Sequence, residues 1–407
     1  MKKVIITSLL VFCTILGRAQ WQKTSSPNSG GVNCFINNGS YLFAGTDSAG
    51  TFLSTDNGDN WAVAASGLTN KSVKSITANS NYIFAGTYGN GVYLSSDQGS
   101  NWTPVSKGLT NLDINVLITT GTYVLAGTNS GVFISSDNGS NWSAINKGLS
   151  TVFVVSIATN GTQIFAGTNG GGIFLSTDTG KSWNAVNNGL NSDSVNALTI
   201  NGSYIYAGTN SNGVYMSSNN GNSWQAVNSG LTNNHIWALV TNGSHIFAAT
   251  GGGGKHNGTG GGTGGGKGKG GVFIIKNTGT TWTPVNTGLP QTDVRSLYIV
   301  GSTIFAGTED SNVWKRPLSE LTSGIQGLST NNPGLMIYPN PANTLINIEF
   351  NTTSREELVI YNVIGEIVYR NIWLPFQTDF HKVDISTWEK GVYFMKIGSN
   401  TEKIIKD

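Results

Sequence analysis

The sequence predicts an all-β protein: a seven-bladed β-propeller of four-stranded blades, followed by a small C-terminal antiparallel β-sandwich. Three observations carry this. The pattern Ser-x-Asp-x-Gly-x-x-Trp stands at Ser54/Asp56/Gly58/Trp61, Ser95/Asp97/Gly99/Trp102, Ser135/Asp137/Gly139/Trp142 and Ser176/Asp178/Gly180/Trp183, so its first residue steps from 54 to 95, 135 and 176. A fifth copy, Ser217/Asn219/Gly221/Trp224, has Asn for Asp; a sixth, Ile275/Asn277/Gly279/Trp282, keeps only Gly and Trp and follows a glycine-rich insertion at 251–271. A second string, Leu42-Phe43-Ala44-Gly45-Thr46, returns with its Thr at 87, 128, 168, 209, 250 and 308, seven copies in all. Beyond residue 334 neither string recurs, yet strand-like runs continue.

A period of about 40 residues holding four strands is the signature of a propeller blade. In the second period the strands read Val73 to Ala78, Tyr82 to Thr87, Gly91 to Ser95 and Trp102 to Val105, with the Asp-containing turn between the third and fourth. The seventh period offers Val294 to Ile299, Thr303 to Thr308 and Asn312 to Lys315, but no Trp-led fourth strand. Trp21-Gln22-Lys23 is expected to supply it, so that both ends of the ring share one sheet and no strand edge stays open. The propeller is thus placed at 20–317, a linker at 318–334, and the sandwich at 335–407 with strands Thr344 to Phe350, Glu357 to Val363, Glu366 to Tyr369 and Gly391 to Ile397.

Residues 1–19 read as a secretory signal: Lys2-Lys3, an apolar run from Val4 to Leu16, and Gly17-Arg18-Ala19 as a small-residue cleavage site. The run is too short to span a membrane, and no other stretch qualifies. With cleavage after Ala19, Cys34 is the only cysteine left, so packing rather than a disulfide must hold an exported, monomeric protein. Charged residues are 11% and the net charge is +2, with no basic run among aromatics. That excludes nucleic acid as the main partner.

The repeated turn resembles the Asp-box, or BNR, repeat of sialidases, xyloglucanase-type glycosidases, sortilin-like receptors and photosystem II assembly-factor-like propellers. The resemblance implies a propeller in which the box is scaffold. Physics agrees: Asp accepts turn N–H groups, Gly supplies a positive φ, and Trp buries a ring between blades. The C-terminal segment resembles the type A sorting domain of the Bacteroidetes type IX secretion system, through Tyr338-Pro339-Asn340-Pro341-Ala342, Ile360-Tyr361-Asn362-Val363-Ile364-Gly365, Asp384-Ile385-Ser386 with Trp388, Gly391-Val392-Tyr393-Phe394-Met395-Lys396 and Lys403-Ile404-Ile405-Lys406. It implies Sec export and passage over the outer membrane, with type IX machinery as a partner through 335–407 and a secreted or cell-surface destination by way of the periplasm.

Chemistry is harder to find. A sialidase clamps a carboxylate with clustered guanidinium groups, and the propeller holds only Arg295 and Arg316. Another glycoside hydrolase would need two carboxylates at a mechanism-set separation; Asp113, Asp193, Asp293, Glu309 and Asp310 are the candidates. His235, His245, His256 and His381 lack metal-ligand spacing, and Gly261 to Lys267 ends in Gly268 where a phosphate loop needs Ser or Thr. No cofactor or metal is expected. Aligned on the Ala-Gly-Thr string, the innermost strands carry a variable position reading Asn33, Lys74, Asn115, Val155, Asn196, Trp237 and Arg295, between an aliphatic and a small residue, Cys34 being one of the latter. Free of packing duty, it should line the mouth opposite the Asp-containing turns. Trp237 and Arg295 depart most and adjoin, with His235 and Asp293 two residues earlier, expected at the rim, and Glu309 and Asp310 on the same face. The expectation is a surface binding or scaffold module whose ligand, a glycan, meets His235, Trp237, Asp293, Arg295, Glu309, Asp310 and Lys74; the alternative is a glycoside hydrolase.

Overall fold

The computed structural model describes residues 20–25, 27, 30–251, 270–290, 293–322, 336–338, 342–349, 356–363, 365–373, 381–397 and 400–406. Residues 1–19, read above as a signal, most of the glycine-rich insertion and most of the stretch read as linker lie outside these residues. The chain divides into two compact units, up to residue 322 and from residue 323.

The first unit holds seven four-stranded antiparallel sheets in sequence order. Their first strands, Val32–Asn38, Val73–Ala78, Ile114–Thr120, Val154–Thr159, Val195–Asn201, Ile236–Thr241 and Val294–Val300, abut one another around a closed ring. Blade seven is completed from the other end of the chain: Gln22 pairs with Lys315 and Lys23 with Trp314. The sheet is therefore shared by both ends, as the placement of Trp21 predicts.

Each residue of the Phe-Ala-Gly-Thr string has a job. The aromatic or Leu residue and the Ala are wholly buried, filling the space between blades. A Cβ on Gly45 would stand 2.6 Å from Cys34 Sγ and 2.7 Å from Val73 of the next blade, so Gly lets the next sheet close in. The Thr hydroxyl donates to the carbonyl that opens the third strand, as in Thr46 to Gly50 at 2.9 Å and Thr87 to Gly91 at 2.9 Å. In blade six the same bond, Thr250 to Gly271 at 3.3 Å, spans the insertion, whose ends thus stay in register. Adding residues to an already closed loop costs only a slowly growing entropy.

The Ser-x-Asp-x-Gly turns form a repeated hydrogen-bonded knot. Ser95 Oγ donates to Asp97 Oδ1 at 2.8 Å and accepts the Gly99 N–H at 2.9 Å, while Asp97 takes the backbone and side-chain N–H groups of Asn101. Two successive residues, Gln98 and Gly99, adopt positive φ of 56° and 79°; the first of these was not foreseen. Asn219 reproduces the geometry, accepting Ser217 Oγ and the Ser223 N–H at 2.9 Å each. The sixth turn has lost its Ser and Asp, and blade five compensates. Tyr206 stands where other blades have Phe or Leu, and its hydroxyl accepts the Thr278 N–H and donates to Asn277 Oδ1.

The turn glycines take the positive φ that the sequence predicts and have a second role in packing. Gly58, Gly99, Gly139, Gly180 and Gly221 do take positive φ, between 79° and 84°, but all five are buried rather than held out on a solvated loop. A Cβ on each would press into the blade before, against Phe305, Phe43, Val105, Ile145 and Phe165 in turn. The turn is folded down onto its neighbour, so a missing side chain is needed there for packing as well as for φ.

Each Trp likewise faces backwards around the ring. Trp102 Nε1 donates to the Ala64 carbonyl of blade one, and Trp142, Trp183, Trp224, Trp282 and Trp21 repeat the bond to the blade before. The backbone N–H of Trp102 also crosses to the Ser66 carbonyl. That is why the fourth strand is Thr103–Pro104 and does not begin at Trp102 as predicted. Trp61 departs from the series: it is half-buried and donates to the Thr24 hydroxyl, because blade seven ends its sheet with the N-terminal strand.

The segment read as linker begins inside the first unit. Residues Ser319–Thr322 form a single helical turn, with Leu318 and Leu321 buried and the Leu318 N–H donating to the Ser302 carbonyl at 2.7 Å. The apolar spacing of these two leucines, hidden in a Ser/Thr-rich stretch, explains the difference.

The second unit has two sheets. One orders Met336–Tyr338, Leu345–Glu349 and His381–Asp384; the other orders Ile367–Trp373, Glu356–Asn362, Gly391–Ile397 and Asn400–Lys406. Ile346, Ile348, Leu358, Ile360, Val383, Met395, Ile397 and Ile404 pack between them. No helix among the described residues is long and apolar enough to cross a membrane.

Candidate functional site

The variable position is a β-bulge. In every first strand the register with the second slips by one residue between the aliphatic and small positions, as between Val32 and Cys34 or Val294 and Ser296. The extra residue is Asn33, Lys74, Asn115, Val155, Asn196, Trp237 or Arg295. A bulge re-aims one side chain without disturbing its neighbours. It lies beside the loop joining second and third strands, at the opposite end of the sheet from the Ser-x-Asp turns. The same rim receives the residue after the repeated Thr: Asp47, Tyr88, Asn129, Asn169, Asn210, Gly251 and Glu309. Its N–H bonds back to the residue preceding the first strand, as Asp47 does to Gly31, Gly251 to His235 and Glu309 to Asp293.

The bulge is not free of packing duty. The amides of Asn33, Asn115 and Asn196 donate to the carbonyls of Val73, Val154 and Ile236 on the next blade, at 2.9, 2.9 and 3.1 Å. Where the bulge is Arg295, it too reaches forward, with Nη1 on Asp47 of blade one and Nη2 at 2.9 Å from Glu309 of its own blade. Lys74 of blade two reaches back to the other Asp47 oxygen at 2.6 Å, and Asn33 donates to that oxygen at 2.8 Å. Asp47 therefore sits between two cations from flanking blades. Burial pushes its carboxyl up, but the Lys74 bond and charge, the Asn33 amide and the Arg295 charge outweigh that and hold it below the usual carboxylate range. Arg295 and Lys74 are 11% and 17% exposed, so their heads are largely withdrawn from water.

Asp47 escaped the sequence reading. Comparing the position after the repeated Thr across blades, as was done for the bulge, would have found it.

The blade-six residues sit deeper than expected. His235 is 5% exposed, so it is buried rather than raised to the rim, and its ring lies 4.4 Å from that of Trp237. Trp237 is half-buried. A Cβ on Gly251 would stand 2.7 Å from both Trp237 Nε1 and Asp293 Cγ, so the start of the insertion packs closely over the pair. Asp310 takes the Thr308 hydroxyl within its own loop and stands outside the Asp47 cluster. Asp113 accepts the Asn129 amide at 3.0 Å, and the Asp193 carbonyl accepts the Gly170 and Gly172 N–H groups at 2.8 Å.

Cys34 is a packed small residue: its thiol lies against Gly45, and burial pushes it up to about 12. Among the described residues no group of His, Cys, Asp and Glu is arranged to hold a metal ion.

A cavity on this face lies elsewhere, between the second-to-third-strand loops of blades four and five. It measures about 600 Å³ and is walled by Gly170–Gly172, Asn187, Asn191, Asp193 and Asn210. Shape and charge thus mark different sectors of one rim.

Residues 336–407 match the family described as the secretion system C-terminal sorting domain. In the propeller preceding the sorting domain, residues 18–153 match the DUF6242 beta propeller domain and residues 130–254 match sortilin, neurotensin receptor 3. No curated protein matches the chain. Among solved structures, YCF48 from Cyanidioschyzon merolae is 14% identical with a TM-score of 0.56, covering 74% of this chain and 99% of its own. PorZ, an essential surface component of the type-IX secretion system of Porphyromonas gingivalis, is 12% identical with a TM-score of 0.55, covering 94% of this chain and 60% of its own. A GH74 xyloglucanase from Xanthomonas campestris is 14% identical with a TM-score of 0.57, covering 81% of this chain and 59% of its own. These likenesses show the propeller fold. The chain spans about three fifths of the last two proteins.

Proposed function

We propose that the chain is an exported surface-binding propeller, delivered by type IX machinery through its sorting domain, whose rim opposite the Ser-x-Asp turns recognises an extracellular glycan. One observation carries this. Blades that repeat their core strings almost unchanged diverge on that rim, where the bulge is Asn in three blades and Lys, Val, Trp or Arg in the others, and the post-Thr residue is Asn in three blades and Asp, Tyr, Gly or Glu in the others. A scaffold alone needs no such variety.

In the sector of blades six, seven, one and two, Trp237 offers an aromatic edge over His235 with Gly251 close to it and to Asp293, and Arg295, Glu309, Asp47 and Lys74 form an ion-pair cluster further round the same rim. The ion pairs prepay the ordering of long side chains, which reduces the entropic cost of binding. Glycoside hydrolysis is less well supported. It needs two carboxylates free to act on the scissile bond, whereas Glu309 and Asp47 are engaged in ion pairs with Arg295 and Lys74.

The test is a glycan-array screen of the mature full-length chain beside a hydrolysis assay on the same polysaccharides. Binding without product release supports the reading. Release of sugar with defined linkage would replace it with hydrolysis, and no binding to any glycan would remove it.

A further inference from the structure

The cavity between blades four and five has a cause in the sequence. After the repeated Thr, blade two continues Tyr88-Gly89-Asn90-Gly91, while blade four continues Asn169-Gly170-Gly171-Gly172, so blade four's loop presents almost no side-chain bulk. Packing fixes these glycines. Gly170 and Gly172 have φ of 105° and 72°, and a Cβ on Gly171 would stand 2.5 Å from Thr151. What remains is a hollow of about 600 Å³, within the range of pockets that hold small ligands.

Its walls are fixed. Asn187 Nδ2 donates to the Gly171 carbonyl at 2.9 Å and its Oδ1 accepts the Ile173 N–H at 2.7 Å; Asn228 ties the blade-five loop in the same way, to Asn212 and Val214. The Asp193 carbonyl accepts two N–H groups of the glycine loop, and Ser194 Oγ donates to Asn169 Oδ1 at 2.8 Å. Two lining amides are not spent on this framework: Asn191, which is exposed, and Asn210, which is half-buried, make no side-chain hydrogen bond among the described residues.

The chemistry of the lining selects the ligand. Amides, hydroxyls and peptide groups line most of it, with Leu190 as its one aliphatic side chain and Asp193 as its one ionisable side chain. A primary amide offers donor and acceptor together, which matches a sugar hydroxyl acting as both. An anionic sugar would meet Asp193 and no cation, since Lys74 and Arg295 are held by Asp47 and Glu309 in another sector.

We infer that the groove between blades four and five is a subsite for an uncharged, hydroxyl-rich glycan, held by Asn191, Asn210 and the exposed peptide groups of the glycine loop. The inference rests on the reading of this rim as the glycan face and adds the sector and the charge class. No aromatic side chain lines the groove, so a single subsite binds weakly and the ligand is a chain that repeats its contacts.

The experiment is affinity electrophoresis of the full-length protein through gels containing mannan, xylan, β-glucan or polygalacturonate. Retardation by a neutral polysaccharide and not by polygalacturonate is expected. The variant Asn191→Ala/Asn210→Ala removes two uncommitted amides, so folding should be unchanged while affinity falls about thirtyfold, the loss of two hydrogen bonds. A second variant, Ser211→Trp, fills the groove from an exposed lining position and should abolish retardation. Trp237→Ala runs in parallel. Full retardation of both groove variants would overturn the groove. Loss with Trp237→Ala alone would keep the glycan reading but move its site to blade six. Preference for polygalacturonate would overturn the charge class, and no retardation of the unaltered protein would overturn both inference and function.

Discussion

The indole N–H of Trp102 donates to the carbonyl oxygen of Ala64, 38 residues earlier and one blade back, at 2.8 Å. Trp21 makes the equivalent bond to Val285 across 264 residues, at 2.7 Å. The ring is therefore closed by the same contact that joins its interior blades. Each bond is backed by a glycine: a Cβ on Gly67 would collide with the Trp102 carbonyl oxygen, and Gly67 has a φ of 84°.

Trp21→Ala is accordingly expected to destabilise the ring by about 3–5 kcal/mol, the usual range for truncating a buried Trp. It also leaves the Val285 carbonyl without its donor. Removing 21–25 should do at least as much, because it exposes the edge of Val313–Pro317. Urea denaturation followed by tryptophan fluorescence checks this; an unaltered midpoint would mean that blade seven stands on three strands.

Much of this architecture was legible because repetition amplifies a weak signal. One Ser-x-Asp-x-Gly turn proves little, but its recurrence with Ala-Gly-Thr fixed the blade count, the turn and the shared sheet. The rim was less legible. Which side chains pair depends on contacts between blades, and Asp47 meets Lys74 and Arg295 across gaps of 27 and 248 residues. The burial of His235 was hidden for the same reason: it depends on how the Trp237 ring packs against it and on a chain reversal that bonds Gly251 back to its backbone. So was the burial of the turn glycines, since what covers Gly58 is Phe305 from the far end of the ring. Leu318 and Leu321 were masked by a polar neighbourhood that reads as linker.

The Asp-containing turns make the propeller acid-sensitive in a predictable sense. The backbone and side chain of Asn60, then Ser54, hold the Asp56 carboxyl at about 2, and Ser182 with Ser176 does the same for Asp178; Asp97 and Asp137 are lowered by Asn101 and Asn141 in turn. These folded-state values lie below the ordinary 3.8, so the unfolded chain takes up protons first. Their contribution is present above about pH 4 and is lost as pH falls through the folded values. Asp97→Asn should copy the geometry of Asn219, lower stability slightly at neutral pH by weakening charge-assisted bonds, and reduce the loss of stability as pH falls below about 4. Denaturation at neutral and acidic pH checks it; an identical slope in the variant would show that the turn carboxylates do not govern acid stability.

Asp47 is expected to matter more than its half-exposed position suggests. Asp47→Ala would leave the Lys74 ammonium and an Arg295 nitrogen facing each other without the anion between them, in a setting where both are largely withdrawn from water. A loss of about 1–3 kcal/mol is expected, and Asp47→Ala/Lys74→Met should recover part of it by removing one of the stranded cations. Equal stability of the single and double variants would mean that water replaces the carboxylate freely.

The sorting domain yields a prediction of cellular address. With 336–407 deleted, the propeller should still fold, since its sheets draw no strand from beyond Pro317, but it should remain inside the cell envelope. Fractionation with antibody detection checks this, and normal extracellular amounts of the truncated protein would refute export through the sorting domain.

Trp237 decides whether blade six belongs to the ligand face. Its ring is half-buried over the buried His235, with Gly251 pressed against Nε1. Trp237→Ala should therefore lower stability by about 1–3 kcal/mol, less than a fully buried Trp, whether or not a ligand touches it. Loss of binding in that variant, with the groove variants intact, assigns the site to blade six without saying whether the indole touches the ligand or only holds the rim. Trp237→Phe separates the roles: it keeps an aromatic ring over His235 and holds most of the stability, but it removes the indole N–H and shortens the edge available for stacking on a sugar face. A contact residue should then lose affinity several-fold at nearly unchanged melting temperature. If Trp237→Phe binds every glycan as tightly as the unaltered chain, Trp237 serves to wedge blade six against blade seven, and the glycan face is confined to the remaining sectors of the rim.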